Sequence, residues 1–383
     1  MTIVALPRVS VIIPTHNHAR FVTQAVDSAL AQTCAALEVI VVDDGSVDDT
    51  RTRLARYGAQ LRCIHQARLG VSAARNTGIR AAQGDCFVFL DADDRLAPDH
   101  LARQLPLLAA RPECGLVYSG FQYIDESGLC IQGAVRPNRQ GHLLKDLLRR
   151  RFFFPPGAAV VRRDCLERVG LFDESCPAAA DTDLWIRIAR AGYAFGYVDR
   201  PLFHYRVVGG SMSSRNAAQA RDEFIRLDKF FADPDLADDI KLLKAEAYSV
   251  LYYEFAAKYF HAGDVEQGRD HIRAALSTCP TLFADKDWLL DWLAGYVLGP
   301  HAADPHQLID VILDNLPSEA ESLRSLRRQA HGRYHTAAAF SAYQSRDLKC
   351  VRTHILPALK GDPSIIRNRG FLRIAVESLL GRG

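Results

Sequence analysis

From Arg8 to about Pro201 the sequence alternates short apolar runs with stretches whose apolar residues recur at helical spacing, and this alternation limits the fold more than any single motif does. VSVIIP, Val9 to Pro14, has the length and β-branched content of a buried strand. In the FVTQAVDSALAQT that follows, Phe21, Val22, Ala25, Val26, Ala29 and Leu30 share one helical face. LEVIVVDDGS, from Leu37, predicts a second strand and Asp48 to Tyr57 a second helix. LRCIHQ predicts a third strand, Gly70 to Gln83 a helix closed by Gly84, and CFVFL a fourth strand. Strand and helix in this order predict an α/β, Rossmann-like domain, its central sheet mostly parallel with helices on both faces.

Ligands of such sheets bind beyond the carboxyl ends of the strands. Three strands here deliver polar residues at those ends: Pro14-Thr15-His16-Asn17, Asp43-Asp44-Gly45-Ser46 and Asp91-Ala92-Asp93-Asp94. The last puts three carboxylates within four residues of a buried strand. Mg2+ and Mn2+ prefer hard oxygen ligands, and one or two carboxylates suffice while water or substrate phosphate fills the other positions. A nucleotide-diphosphate substrate is therefore the first expectation. A lone DxD is a weak signal; three converging strand ends make it a stronger one.

Composition removes several other classes. Lys plus Arg total 47 against 45 for Asp plus Glu, so a nucleic-acid binder working by phosphate neutralisation is not expected. The nine cysteines lack CxxC or Cys/His ligand spacing and read as reduced thiols of a cytoplasmic protein. Pro7 and Arg8 interrupt the apolar N-terminus, so no secretory signal is expected; WLLDWLAGYVLG, from Trp288, contains Asp291 and is too short to span a bilayer. At 383 residues two domains are a better expectation than one.

After about Ser214 the texture becomes helical. Ala256 to Pro280 matches Ala339 to Pro363 at a constant offset of 83 residues: Asp264 falls on Asp347, His271 on His354 and Pro280 on Pro363. The pattern resembles a tetratricopeptide-like helical hairpin, and the paired histidines read as packing residues rather than ligands. The expected division is an α/β domain over 1–215 and an all-α domain over 216–383, the second available to a protein partner or a peripheral membrane contact.

Taken together, VSVIIPTHN, VIVVDDGSVDDT, GVSAARNTGIRAAQGDCFVFLDADD, GLFDE and DTDLWIRIARAGY resemble the family 2 glycosyltransferases of the GT-A fold, over about residues 7 to 215. The resemblance implies a nucleotide-sugar donor, a UDP-sugar first, and a saccharide or glycoconjugate acceptor. It implies that Pro14, Thr15, His16 and Asn17 line the nucleotide pocket, that Asp44 recognises the base and that Arg75 contacts the diphosphate. Asp91 would lie nearer the ribose and Asp93 would be the principal ligand of Mn2+ or Mg2+, with Asp94 supporting. Asp181 would be the catalytic base of an inverting transfer, and Asp183 and Arg187 a structural pair at i,i+4.

The sequence departs from the family at Ala180, where a first acid is usual, at Val208, where many members have histidine, and at His16, where an aromatic residue is common. The backbone of Gly209, Gly210 and Ser211 could still donate to phosphate. Arg149 to Arg163 joins basic residues to three aromatics, which suits either sugar stacking or a helix end running into a buried strand. The rival from another class is a catalytically weak nucleotide-sugar-binding protein whose helical domain docks a partner.

Overall fold

The structure, a computed structural model, describes residues 6–150, 152–208 and 216–380. The chain divides into two compact units: Met1–Cys130 with Val135–Phe230, and Ile131–Ala134 with Phe231–Gly383. The first unit begins with β1 (Val9–Thr15), α1 (Val22–Leu30), β2 (Glu38–Asp44), α2 (Thr50–Ala55), β3 (Arg62–Gln66), α3 (Val71–Ala81) and β4 (Cys86–Phe89), the alternation expected from the sequence. Then come β5 (Arg95–Leu96), α4 (His100–Ala110), β6 (Cys114–Ile124), α5 (Leu144–Leu148), β7 (Ala159–Arg162), α6 (Arg163–Val169), α7 (Ala180–Arg190), β8 (Ala194–Arg206) and α8 (Asn216–Phe231). The first unit therefore takes in α8 as far as Phe230, beyond residue 215 where the sequence texture changes.

The eight strands form one sheet in the order β3-β2-β1-β4-β7-β6-β8-β5. The four strands read from the sequence pair in parallel; β4 with β7, β7 with β6 and β8 with β5 are antiparallel, so the far half is mixed. Register sets the site: Thr15 lies beside Asp43 and Asp44 beside Gln66, while Phe89, opposite Ile12, sends its chain out past the same edge. Val11, Ile13, Val39, Val41 and Val88 pack one face of the sheet under α1 and α4. Ile40 and Val42 face Ala74 of α3 on the other. Each such side chain, fully buried, contributes about 1.5–3 kcal/mol. Gly78 lets α3 approach β1, because a Cβ there would lie 2.4 Å from Ile12 Cγ2.

The second unit is helical: α9 (Asp238–Lys241), α10 (Lys244–His261), α11 (Val265–Thr278), α12 (Lys286–Val297), α13 (Pro305–Asp314), α14 (Arg327–Gln344), α15 (Leu348–Gly361) and α16 (Arg369–Leu379). The expected hairpins are α10–α11 and α14–α15. Asp264 caps α11 through Gln267 N and Asp347 caps α15 through Cys350 N. The repeat runs further than the sequence match. After 3-10 turns at Pro280–Ala284 and Pro363–Arg367, Asp285 caps α12 through Trp288 N and Asn368 caps α16 through Phe371 N, at the same offset of 83 (285 to 368). His271 Nδ1 bonds the Gln267 carbonyl at 2.8 Å with the Tyr252 and Tyr259 rings beside it, and His354 Nδ1 lies 2.8 Å from His335 Nδ1. No described helix is long and apolar enough to cross a membrane.

Candidate active site

The ends of β1 and β2 are tied together by their own polar residues. Asn17 takes a positive φ of 56°, a turn conformation that asparagine tolerates. Its N–H donates to Ser46 Oγ (2.9 Å) and its Oδ1 accepts from Val47 N (2.8 Å). His16 Nδ1–H donates to the Asp44 carbonyl (2.8 Å), which leaves Nε2 of the neutral ring to accept from Asn17 Nδ2 (3.2 Å). Thr15 Oγ1 is buried and has no hydrogen-bond partner among the described residues.

Asp44 is buried, and three donors hold its carboxylate: Gln66 Nε2 and Leu69 N on Oδ1, Gly70 N on Oδ2, each at 2.8 Å. It thereby fixes the loop that enters α3, and one acceptor position on Oδ2 remains. Burial would raise the pKa of neighbouring Asp43. Hydrogen bonds from Ser46, His65 and Arg51 outweigh it and hold that carboxyl below its ordinary range.

The acid segment after β4 divides its work. Asp94 is buried, turns into the protein and accepts Arg206 N at 2.7 Å. Burial, then the charges of Asp93 and Asp91, push its pKa well up. Asp93 is pushed up by burial first and by Asp91 second. Its carboxylate takes no side-chain donor among the described residues, whereas Asp91 Oδ1 accepts Arg75 Nη2 at 2.7 Å. No three His, Cys, Asp or Glu groups among the described residues already form a metal cage. A Mg2+-like ion requires none, since one or two carboxylates with phosphate and water can hold it. The hard oxygens of Asp93 and Asp91 fit such an ion.

Arg206, which the sequence reading passed over, anchors this segment from β8. Its Nε donates to the Asp93 carbonyl (2.6 Å), Nη1 to the carbonyls of Asp125 (2.8 Å) and Glu126 (3.0 Å), and Nη2 to Gln24 Oε1 (2.8 Å). Its guanidinium also lies 4.7 Å from the centre of the Phe21 ring.

Helix α3 carries the second anchor. Arg75 is buried rather than a surface residue, with its guanidinium 5.1 Å from the Phe172 ring centre and its Nε without a hydrogen-bond partner among the described residues. Asn76 latches the GLFDE segment: Oδ1 accepts Phe172 N (3.0 Å), and Nδ2 donates to the Phe172 carbonyl (2.9 Å) and to Glu174 Oε1 (2.8 Å). The adjacent Arg and Asn thus join the acid segment to the chain leading into α7. The small and apolar residues around them, in GVSAARNTGIRAAQG, gave no sign of this latch.

Asp181 stands in the first turn of α7, where its Oδ1 accepts Thr182 N at 2.8 Å; the helix cap is Ala179, so Asp181 is not the capping side chain. Burial raises its pKa; the Arg75 charge pulls it down, while Glu223 and Asp91 push it up. Its field is therefore shared with the acid segment through Arg75. Asp183 and Arg187 form the expected i,i+4 pair at 2.7 Å, and Arg187 also holds the carbonyls of Val169, Gly170 and Leu171.

Ala180 is buried, so the position of the absent first acid is filled by packing. His204 is on β8, opposite Arg95, with its pKa lowered by burial, as a packed residue's is. In the aromatic tract Phe154 is buried and stacks on Trp185 (5.0 Å) and Tyr118 (4.2 Å), so it serves the core; Phe153 is exposed. Gly209, Gly210, Ser211 and Arg151 lie outside the described residues.

Residues 10–170 match the family model described as Glycosyl transferase family 2. An uncharacterized glycosyltransferase of Rickettsia felis is 33% identical over 192 residues, 48% of this chain; the chain spans only 32% of that relative's length. The uncharacterized glycosyltransferase EpsJ of Bacillus subtilis is 30% identical over 232 residues, covering 58% of this chain and 67% of EpsJ. Among solved structures, the mannosyltransferase PcManGT from Pyrobaculum calidifontis, in complex with GDP-Man and Mn2+, aligns with 81% of this chain and 87% of its own at 24% identity and a TM-score of 0.50, a likeness of fold. That fold is GT-A, here followed by a helical region. With a family model spanning the strand-end acids and a Bacillus relative matched over two thirds of its length, the chain belongs to glycosyl transferase family 2.

Proposed function

We propose that the chain is an inverting, divalent-metal-dependent glycosyltransferase that moves a sugar from a nucleotide-diphosphate sugar, a UDP-sugar first, to a hydroxyl of a saccharide or glycoconjugate. One observation carries the reading: the ends of β1, β2 and β4 lie side by side, and Arg75 bonds Asp91 while its charge reaches Asp181. Thr15, His16, Asn17 and the open acceptor position of Asp44 would receive the nucleoside. The unpartnered Thr15 Oγ1 and Arg75 Nε are buried polar atoms in need of a partner, which ribose and diphosphate oxygens would supply.

Asp93, with Asp91, would hold Mn2+ or Mg2+. When bound, the ion neutralises charge on the departing nucleoside diphosphate. Asp181 takes the proton of the acceptor hydroxyl. The acceptor oxygen then bonds to the anomeric carbon as the bond to the diphosphate oxygen breaks, and a single in-line displacement inverts that carbon. Burial raises the Asp181 pKa, which makes it a stronger base than an ordinary carboxylate. The α/β unit would hold both substrates, at a cytoplasmic site, with the helical unit free for a protein partner or a membrane surface.

The replaced acid at Ala180 favours the second reading, a donor-binding protein of weak activity. A panel of UDP- and GDP-sugars decides between them, GDP-Man included because it is the ligand of the mannosyltransferase of like fold. The proposal expects Mn2+-dependent binding and slow hydrolysis of one donor, with transfer once an acceptor is supplied. Binding without turnover on any acceptor supports the second reading; no response to any donor refutes both.

A further inference from the structure

The two repeats of the second unit differ in where they carry histidine. Tyr248 and Tyr252 of α10 fall on His331 and His335 of α14 at the offset of 83 (248 to 331, 252 to 335), and His271 of α11 falls on His354 of α15. In the first repeat the Tyr252 and His271 rings meet edge to face, 5.8 Å apart. In the second the His335 and His354 rings are 5.1 Å apart, with their Nδ1 atoms at 2.8 Å. His306 of α13 extends the contact. Its ring centre is 4.9 Å from those of both His335 and His331, and its Nδ1 is 2.8 Å from His331 Nδ1. His331 Nε2 in turn lies 3.1 Å from Asp310 Oδ1 of α13. Four half-buried histidines thus run in one chain across three helices, where the first repeat meets the same packing need with tyrosine.

Each Nδ1 to Nδ1 contact needs one ring to donate and the other to accept. His331 Nε2–H donates to Asp310, so the neutral His331 accepts at Nδ1 and His306 Nδ1–H donates to it. A pair tolerates one added proton but not two, because two N–H groups would then face each other at 2.8 Å. That separation is a hydrogen bond's; two nitrogens on one tetrahedral zinc lie roughly 3.3 Å apart. We propose that the four histidines are a proton-operated clasp: neutral, they hold α13 and α15 to α14, and protonated below about pH 6 they release them. Nearby charges do not offset four cations. Among the described residues Asp304 and Asp310 of α13 are the acids that act on His306, and Arg327 already holds Asp310 at 2.6 Å. Tyr334 of α14 and Cys350 of α15 have raised pKa values and stay neutral in acid. Acids on the elements packed around these helices have cations of their own: Asp287, Asp291 and Asp362 pair with Arg333, Glu254 of α10 with Lys258, Glu377 of α16 with Arg373, and Glu319 and Glu321 before α14 with Arg273 and Arg324.

Burial first, then the charges of His306, His354 and His331, holds the His335 pKa down to about 4, and burial lowers those of His306 and His354. With folded-state values below the ordinary one, the stability these groups contribute is complete above about pH 6.5 and is lost as pH falls below it. For His335 alone the opening constant should rise about tenfold between pH 7.5 and 5.5. Hydrogen exchange of the full chain, corrected for the intrinsic effect of pH, reads this in α13 and α15. His261, His271 and His301 of the same unit also have lowered pKa values, so the test is a difference from a variant. His331→Tyr with His335→Tyr, the residues of the first repeat, should leave α13 and α15 as protected as wild type at pH 7.5 and cut the rise at pH 5.5 to less than about threefold. A wild type equally protected at both pH values, or a double variant as acid-sensitive as wild type, overturns the proposal. Should the double variant misfold, His354→Gln decides: it keeps a donor and an acceptor, and should remove the acid response of α15 while leaving that of α13. An unchanged response of α15 overturns the clasp. So does equimolar Zn2+ that raises the melting temperature of the wild type but not of the His354→Gln variant, since the pairs would then be metal ligands.

Discussion

Replacing Arg206 by methionine should unfix the acid segment without removing any acid. Arg206 is 2% exposed, and its head group donates to three backbone carbonyls and to Gln24 Oε1. Methionine restores much of the packing on Phe21 but strands the carbonyls of Asp93, Asp125 and Glu126. A buried acceptor left without a donor costs about 1–3 kcal/mol, so the three together set a range of roughly 3–9 kcal/mol. Water entry and local relaxation recover part of this, which brings the expectation to about 3–5 kcal/mol, the upper range for a single substitution. Lysine keeps the charge but loses the fork, and should recover less than half of the loss. Urea unfolding measures it in a Trp288→Phe, Trp292→Phe background, where Trp185 is the one tryptophan left and lies in the first unit. Because the Asp93 carbonyl is one of the stranded groups, metal-dependent nucleotide affinity should fall about tenfold or more in the same variant. A destabilisation below about 1 kcal/mol, or unchanged nucleotide binding in a variant destabilised as expected, would refute the anchoring role.

Other substitutions separate chemistry from scaffold. Asp181→Asn should lower kcat by about 10²–10⁴-fold and leave donor binding intact, as measured by turnover and calorimetry. The wild-type rate should fall with pH through a pKa above the ordinary carboxylate value. Because that folded-state pKa is raised, the ionised Asp181 penalises the wild-type fold once pH exceeds it. The asparagine variant should therefore melt higher at pH 7, and the advantage should vanish below the ordinary carboxylate range. Asp93→Asn should abolish transfer and, unlike Asp181→Asn, strongly weaken Mn2+-dependent nucleotide binding in a titration. Asn76→Ala releases both backbone groups of Phe172 and should cost the first unit about 2–4 kcal/mol, read from the Trp185 transition. Asp347→Ala removes the cap of α15 and should cost about 1 kcal/mol in the second unit only, with donor binding unchanged.

Half of the sheet was legible because its signal is local. β1, β2 and β4 are β-branched or aromatic runs that stop abruptly at polar residues, and a helical period separates them. The other half is set by contacts that no short window holds. β5 is only two residues long, and β8 carries Asp199, Arg200 and Pro201 in its middle, where its pairing with β6 shifts register. Both anchors of the site are equally non-local. Arg206 bonds a carbonyl 113 residues away and Asn76 one 96 residues away, so neither role shows in sequence spacing. In the helical unit the hairpins were legible from matching small, aromatic and proline positions. The third helix of each repeat was not, because α12 presents Trp288 and Trp292 where α16 has Phe371 and Ala375. What the third helices share is a cap, Asp285 in one and Asn368 in the other, two different residues making the same bond.

The motifs thus mix side chains that face a ligand with side chains that keep others in place, and a motif alone does not separate the two. Asp44 belongs to both groups. Three protein donors occupy it, so a variant there disturbs the loop at Gln66, Leu69 and Gly70 as well as the one acceptor position left open. Arg75 has the same double character: its ion pair restrains Asp91, and its charge opposes the rise of the Asp181 pKa. Removing that charge would raise the Asp181 pKa while freeing Asp91, so under the proposed function a loss of rate there would not report on diphosphate binding alone. Asp93 and Asp181 differ from these two. No side chain among the described residues donates to either carboxylate, and both are held in position through the backbone, by Arg206 in one case and by the first turn of α7 in the other. Among the described residues Asp93 takes no side-chain donor and Asp181 only Thr182 N on Oδ1, so each keeps carboxylate oxygen open to the cation or the proton that the proposed function gives it.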